Sequence, residues 1–133
     1  MKVFVDTSGI VALLWAPDAN HQSARAAWKR LLARRARLYT TELVVAESVA
    51  LARSRAGFDV ALRVWTSLVA EPFELMWMDA DLLSEARRIF EKYSDHDLSL
   101  CDCASAATMR ARRIHVAFAF DRDFETLGFE LAS

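Results

Sequence analysis

Short apolar runs alternate with longer amphipathic stretches along this chain. The runs lack the every-second-residue alternation of a half-buried strand, so they are typical of strands buried on both faces of a parallel sheet. Such strands are predicted at residues 2–5, 38–40, 73–78 and 115–120, and residues 129–131 are predicted to add an edge strand.

The longer stretches carry apolar residues at helical spacing and begin or end at capping residues. Helices are predicted at residues 9–15, 20–34, 41–55, 59–70, 79–90, 98–112 and 122–127. Thr7 or Ser8 is predicted to cap the first helix, Thr41 the third and Asp79 the fifth, and Gly57 is predicted to end the third. Because strands joined by helices must run parallel, the pattern predicts a three-layer α/β/α sandwich with a mostly parallel central sheet.

Composition narrows the class of protein. The 133 residues, of which 54% are hydrophobic, supply enough apolar material for the core of one domain over residues 1–133, which excludes a disordered chain. The 3 Gly and 2 Pro are too few for the many tight turns of an all-β protein. A formal net charge of -1 excludes a globally basic nucleic-acid binder, although local basic patches remain possible.

The sequence predicts a soluble cytoplasmic protein. The apolar run before Asp6 is too short for a signal peptide, and the longest apolar run, residues 10–16, is far below membrane-spanning length. Cys101 and Cys103 lie one residue apart on a predicted helix and point in different directions, so they do not pair with each other. They are predicted to be buried and reduced.

Four acidic residues from distant parts of the chain are predicted to meet at one edge of the sheet. Asp6 and Asp121 each follow a predicted strand, Asp102 lies in the first turn of a helix, and Glu47 lies two turns into another. The carboxyl ends of parallel strands form the edge at which ligands bind. Since gathered carboxylates repel one another, either some are protonated or a cation lies among them, and Mg²⁺ or Mn²⁺ is the natural choice for oxygen ligands.

Four segments carry a resemblance to a known family. They are Val3-Phe4-Val5-Asp6-Thr7-Ser8, Val44-Val45-Ala46-Glu47, Leu98-Ser99-Leu100-Cys101-Asp102-Cys103 and Phe118-Ala119-Phe120-Asp121-Arg122-Asp123-Phe124. In their order and spacing, the chain resembles a PIN-domain ribonuclease of the VapC toxin type over nearly its whole length. The resemblance implies a PIN-like fold and a metal-dependent endoribonuclease.

The resemblance also implies roles for individual residues. It makes Asp6, Glu47, Asp102 and Asp121 the catalytic and metal-binding acids, and Asp123, which is often His in relatives, shares the role of the fourth acid. The chain departs from the family at Ala119, where relatives usually have Ser or Thr; this removes a hydroxyl that could contact the metal or water.

Partners follow from the resemblance and from charge. The resemblance implies an RNA substrate, a homodimer and a small VapB-like antitoxin with a segment that covers the acidic pocket. We expect basic residues around that pocket to bind RNA phosphates. The candidates form two clusters: Arg25, Lys29, Arg30, Arg34, Arg35 and Arg37, and Arg110, Arg112 and Arg113. Six large apolar residues are predicted to lie in the core more often than at an interface: Trp15, Trp28, Trp65, Trp77, Leu62 and Leu68.

Other functions fit the sequence less well. Asp6-Thr7-Ser8-Gly9 differs from the Asp-Thr/Ser-Gly motif of aspartic proteases, because Ser8 separates the first two residues from the glycine. A phosphoacceptor receiver domain would have an acidic pair near the start of the chain and a lysine late in the chain, but the only lysines here are Lys2, Lys29 and Lys92. A catalytically inactive PIN-like scaffold or RNA-binding module remains the alternative: the four acids argue against it and Ala119 slightly for it.

Overall fold

The fold is built on one parallel sheet flanked by helices. The computed structural model describes residues 1–132. The strands are β1 (Lys2–Val5), β2 (Arg37–Thr41), β3 (Phe73–Met76), β4 (Val116–Phe118) and β5 (Glu130–Leu131). The helices are α1 (Thr7–Leu14), α2 (His21–Ala33), α3 (Glu42–Ala56), α4 (Phe58–Leu68), α5 (Ala80–Lys92), α6 (Leu100–Ala111) and α7 (Asp123–Thr126).

The sheet has the order β3-β2-β1-β4-β5, and every pair of neighbouring strands is parallel. The first strand is the centre of this order: Phe4 pairs with Tyr39 on one side and with Ala117 on the other. Val3, Phe4 and Val5 have no solvent exposure, as expected of a strand covered by helices on both faces. The predicted α/β/α sandwich is therefore confirmed.

Helix ends follow the capping signals, with one correction. The side chains of Thr41 and Asp79 accept hydrogen bonds at the starts of α3 and α5, and Gly57 ends α3 at a φ of 92°, which favours glycine. The first helix is capped by Asp6 instead of Thr7 or Ser8, and it begins directly at Thr7. The carboxylate of Asp6 therefore lies at the helix start, immediately after β1.

Two strands end earlier than predicted. The third ends at Met76 and the fourth at Phe118, so Asp121 lies in a loop beyond the strand and does not close it directly. The backbone N–H of Asp6 donates to Phe118 O (3.1 Å), and that of Phe120 donates to a side chain, Ser8 Oγ (3.0 Å). Because the backbone N–H of Phe120 bonds to a side chain and not to a neighbouring strand, the pairing of β4 ends before Asp121.

The first helix packs very closely on the fourth strand. Gly9 is buried against Phe118, and a Cβ at this position would overlap with the carbonyl oxygen and ring of Phe118. Only glycine permits this approach, which brings the loop after β4 next to the start of α1. The two acid-bearing segments that begin at Asp6 and Asp121 are brought together by this contact.

Several large apolar side chains lie outside the core. Trp65 is 55% exposed, Trp77 68% and Leu62 49%, so the prediction that they are mainly core residues is wrong. Trp15 and Trp28 are half-buried, and Leu68 is fully buried as predicted. Trp65 and Leu62 lie on α4 and Trp77 just after β3, where helical or strand spacing does not reveal which face is covered. Within residues 1–132, no helix has the length and apolar character needed to cross a membrane.

Candidate functional site

A cleft of about 420 Å³ opens at the carboxyl edge of the sheet. It is bounded by the starts of α1 and α6, the middle of α3 and the loop after β4. Its lining includes four of the predicted acids, three hydroxyl side chains and one arginine. The lining residues are Asp6, Thr7, Ser8, Val11, Asp18, Asn20, Glu47, Leu51, Arg55, Ser99, Asp102, Phe120 and Asp121.

Asp6 is the most deeply placed of these acids, with only 3% of its surface exposed. Burial raises the pKa of its carboxyl group to about 6, and the negative charge of Asp102 acts in the same direction. Hydrogen bonds from Ser8 oppose the change: its backbone N–H and its hydroxyl both donate to Asp6 Oδ2, at 3.2 and 2.9 Å. The folded protein therefore holds a carboxylate in a place that disfavours its charge.

Ser8 connects two of the segments that carry acids. Its hydroxyl donates to Asp6 Oδ2 and accepts a hydrogen bond from the backbone N–H of Phe120 (3.0 Å), next to Asp121. A single side chain thus fixes the loop after β4 relative to the Asp6 carboxylate. Serine was predicted only as a possible cap at this position, and the short motif around Asp6 gives no signal for a contact with residue 120.

Asp102 is held by a reciprocal cap at the start of α6. Its backbone N–H donates to Ser99 Oγ (3.1 Å), and the backbone N–H of Ser99 donates to Asp102 Oδ2 (3.0 Å). Burial is the main cause that raises the pKa of the Asp102 carboxyl group, and the charges of Asp121 and Glu47 add to it. The Ser-x-x-Asp spacing is a known capping pattern and could have identified Ser99 from the sequence.

The segment after β4 contributes two more acids, Asp121 in the loop and Asp123 at the start of α7. Carboxylate oxygens of Asp102, Asp121 and Asp123 all lie within 4.8 Å of one another. The backbone N–H of Asp123 donates to Asp121 Oδ1 (3.0 Å). Partial burial and the neighbouring Asp121 carboxylate raise the pKa of Asp123 to about 6. Asp123 therefore lies beside the fourth acid, as the resemblance implied.

Glu47 completes the group from α3, where it is half-buried and lines the cleft. Glu47 also lies close enough to Cys101, a buried free thiol, to affect it electrostatically. Burial raises the pKa of the Cys101 thiol, and the charges of Glu47, Asp6 and Asp102 raise it further. The thiol is therefore protonated near neutral pH and does not act as a nucleophile. Cys101 and Cys103 are both buried and reduced, as predicted.

The five acids have the features expected of a divalent-cation site. Within the part of the chain that the structure describes, none of them forms an ion pair with Lys, Arg or His. The hydroxyl of Thr7, another cleft residue, is buried without a hydrogen-bond partner among those residues. Oxygen donors that repel one another, next to an unsatisfied hydroxyl, fit Mg²⁺ or Mn²⁺ better than a softer ion. Ala119, at the family's usual Ser or Thr position, is buried and is not among the lining residues.

Within residues 1–132, no member of the two predicted basic clusters lines this cleft. Arg37 begins β2, and its backbone N–H donates to Met1 O; Lys2 Nζ donates to Arg112 O. These residues lie at the amino ends of the strands, on the opposite edge of the sheet from Asp6 and Asp121. The expectation that both clusters lie around the pocket is therefore wrong at Arg37 and Arg112, and the arginine that does line it, Arg55, was not a candidate.

Comparison with known proteins identifies relatives over almost the whole chain. The family model described as PIN domain matches residues 3–130. The chain is 31% identical over 127 residues to the protein named 23S rRNA-specific endonuclease VapC20 of Mycobacterium tuberculosis, covering 96% of this chain and 95% of the relative. It is 29% identical over 120 residues to Ribonuclease VapC26 of the same species, covering 90% and 87%.

Solved structures agree with the sequence relatives. The crystal structure of Mycobacterium tuberculosis VapC20, described as a Sarcin-Ricin loop cleaving toxin, superimposes with a TM-score of 0.86 at 32% identity, covering 96% of this chain and 95% of that one. VapBC2 from Rickettsia felis, solved with a DNA fragment from its promoter, gives a TM-score of 0.68 at 15% identity and covers 98% and 97%. At that identity the second likeness concerns the fold alone.

Proposed function

The chain belongs to the PIN-domain family, and from this premise we propose that it is a metal-dependent endoribonuclease, the toxin of a VapBC-type toxin–antitoxin pair. The carrying observation is that four predicted acids line one cleft and a fifth, Asp123, adjoins two of them, while none of the five forms an ion pair with a basic side chain within residues 1–132. A protein tolerates such a group when a cation offsets its charge, and a phosphodiester substrate would bring further negative charge to the same place.

Each acid has a distinct position in this proposal. Asp6 and Asp102 would hold the main ion, since both are fixed by hydrogen bonds to Ser8 and Ser99. Glu47 and Asp121 would complete the site or hold a second ion, and Asp123 would support Asp121. A bound divalent cation lowers the pKa of a water molecule and offsets charge that develops on the phosphate.

The RNA substrate is the second part of the proposal. The relative VapC20 is named as specific for 23S rRNA and described as cleaving the sarcin–ricin loop. At 31% identity over 96% of this chain, that loop is the first RNA to test. The cleft is open to solvent at the sheet edge and has polar walls, which suits a structured RNA that presents a few nucleotides at a time.

A small antitoxin and a second copy of the chain are the proposed partners, and the cytoplasm is the proposed location. Exposed large apolar side chains support the existence of protein interfaces. They lie on α1, α4, α5, at the start of α6 and after β3: Leu14, Leu62, Trp65, Trp77, Phe90 and Leu100. Gel filtration of the purified chain at micromolar concentration tests the dimer, and elution as a 15.0 kDa species would contradict it.

The activity is tested by incubating the purified chain with 23S rRNA and with a sarcin–ricin hairpin, with Mg²⁺ or Mn²⁺ or with EDTA. We expect new RNA ends only with metal. Asp6→Asn should reduce the cleavage rate by about 100-fold or more, because it removes a charge that a metal ion requires.

Asp18→Asn is the matched control for this experiment. Asp18 also lines the cleft, but it caps the turn before α2, where its Oδ1 accepts the backbone N–H of Asn20 (2.8 Å). Asparagine keeps that acceptor, so cleavage by Asp18→Asn should remain within a few-fold of the original. Binding of metal and RNA without cleavage of any RNA would instead favour the inactive scaffold.

A further inference from the structure

One cation faces the acidic cleft. Among the cleft-lining residues of the described chain, Arg55 is the only basic side chain. It lies on the same face of α3 as Glu47 and Leu51, because the three residues are spaced by four and all line the cleft. Eight residues of α-helix span about 12 Å, so Arg55 lies well along the cleft from the acid on its own helix.

Arg55 is supported by apolar contacts and not by a carboxylate. Its guanidinium carbon lies 6.0 Å from the centroid of the Trp15 ring, and Arg55, Trp15 and Leu51 also line a small apolar cavity. No ion pair involves Arg55 anywhere in residues 1–132. An aromatic ring orients a guanidinium group and leaves its N–H donors available to a ligand.

We propose that Arg55 binds a backbone phosphate of the RNA other than the one that is cut, and so positions the RNA across the cleft. The inference rests on the proposed ribonuclease function and extends it to a positioning residue. Acidic walls repel RNA, so a cation is needed at the cleft itself, and both predicted basic clusters have members at the opposite edge of the sheet. A guanidinium group also matches the bidentate geometry of phosphate. Because Arg55 lies about 12 Å along α3 from Glu47, the contact would fall on a phosphate other than the one that is cut.

A different role would be purely electrostatic. Arg55 could reduce the negative potential of the five acids without touching RNA. In that case, replacing Arg55 by a neutral residue would strengthen divalent-metal binding. It would also weaken RNA binding by the same factor for every RNA in which one phosphate has been made neutral. A phosphate contact predicts a dependence on one particular phosphate, and this difference decides the test.

The test compares Arg55→Gln with Arg53→Gln. Arg53 is on the same helix and lies over an aromatic ring in the same way, with its guanidinium carbon 5.4 Å from the Phe58 centroid, but it does not line the cleft. Both variants are made in the full chain carrying Asp6→Asn, so that binding of a sarcin–ricin hairpin RNA is measured without cleavage. We expect about 10-fold weaker binding for Arg55→Gln and less than about twofold for Arg53→Gln.

Two further readouts separate contact from screening. The slope of log affinity against log salt should fall by about 0.7 for Arg55→Gln, as for the loss of one single-strand phosphate contact. With a series of hairpins that each carry one methylphosphonate, the Arg55→Gln effect should vanish on a single member of the series. Thermal unfolding of each variant checks that the fold is retained.

The outcomes are distinct from those of the cleavage test. Equal binding by the two variants, or an Arg55→Gln effect that persists on every methylphosphonate hairpin, would overturn the proposal. Because binding is measured in an inactive background, these results do not depend on whether the unmodified chain cleaves RNA. In the active chain, Arg55→Gln should raise KM more than it lowers kcat, and Arg55→Lys should recover part of the loss by restoring the charge.

Discussion

The two edges of the central sheet hold charge in opposite ways. At the carboxyl edge, Asp6 is 3% exposed, no acid of the cleft has a basic partner within residues 1–132, and burial raises the pKa of Asp6 and Asp102. At the amino edge, Arg37 is 65% exposed and pairs with Glu74 at 3.6 Å. Lys2 there donates to a backbone carbonyl.

This difference shows which charged side chains lower the stability of the folded protein. Exposed arginines at the amino edge are solvated, so they cost little and contribute little to stability. Carboxylates that are shielded from water and repel one another destabilise the metal-free protein. Their presence therefore indicates a function that needs them. A functional site is therefore expected at the carboxyl edge, even though Lys2, Arg37 and Arg112, whose charges could attract RNA, lie at the amino edge.

The largest expected effect concerns Asp102, which is both a proposed metal ligand and part of the reciprocal cap at the start of α6. Asp102→Asn removes a charge from the site, and we expect RNA cleavage to fall by about 100-fold or more. Ser99→Ala removes the other half of the reciprocal cap and leaves the Asp102 carboxylate in place. It should cost about 1 kcal/mol of stability and leave cleavage within a few-fold. Rates from single-turnover cleavage and unfolding in urea measure both effects.

A contrary result would change the assignment of this residue. If Ser99→Ala abolished cleavage as completely as Asp102→Asn, Asp102 would act through the cap of α6 and not as a ligand. The Asp102 carboxylate would then serve the fold and not catalysis. The difference in charge between the two edges would no longer indicate where the functional site lies.

The next effect concerns stability against pH in the absence of metal. In the folded protein the pKa of Asp6 is raised from 3.8 to about 6, so between these values the folded state keeps a proton that the unfolded chain has lost. The free energy of unfolding should therefore fall as pH rises through this interval. The penalty, about 2 to 3 kcal/mol, is complete above pH 6.

Asp6→Asn should remove most of this penalty. Asparagine still offers an oxygen to Ser8, so the cap of α1 is kept while the charge is lost. Urea unfolding in EDTA at pH 4.5 and 7.5 should show the variant gaining stability over the original chain mainly at the higher pH. Asp79→Asn, at the exposed cap of α5, is the control and should show no such gain. A gain of equal size at both pH values would contradict the assignment.

Much of the fold follows from local patterns in the sequence. Apolar runs such as residues 2–5 predict strands, and Thr41 and Asp79 mark helix starts, because capping depends only on neighbouring residues. The end of β4 could not be predicted, since it depends on a hydrogen bond between Phe120 and Ser8, which are 112 residues apart. Exposure of Trp65 and Trp77 likewise depends on which faces other elements cover.

The acids of the site were predictable, whereas the basic residue was not found. Parallel strands end at one edge, and this rule predicts that Asp6 and Asp121 lie on the same side of the sheet. Their closeness also depends on the Gly9–Phe118 contact and on the hydrogen bonds of Ser8, which the rule does not predict. The same rule places Arg37, at the start of a strand, on the opposite edge, so its expected position near the pocket was inconsistent with the predicted topology. Arg55 lies eight residues after Glu47 on one helix face, and that spacing was visible in the sequence.

The smallest effect is expected at the amino edge. Arg37→Gln breaks an exposed ion pair with Glu74 and a contact over the Tyr39 ring (5.6 Å), and surface changes of this kind alter stability by less than about 0.5 kcal/mol. If RNA binds only at the carboxyl edge, cleavage by Arg37→Gln at fixed salt should stay within about twofold of the original, while Arg55→Gln loses far more. A loss for Arg37→Gln as large as that for Arg55→Gln, with the salt slope reduced by the same amount, would mean that the RNA also passes over the amino edge. Both edges would then contribute to RNA binding, and the two edges would differ only in that the proposed metal site lies at the carboxyl edge.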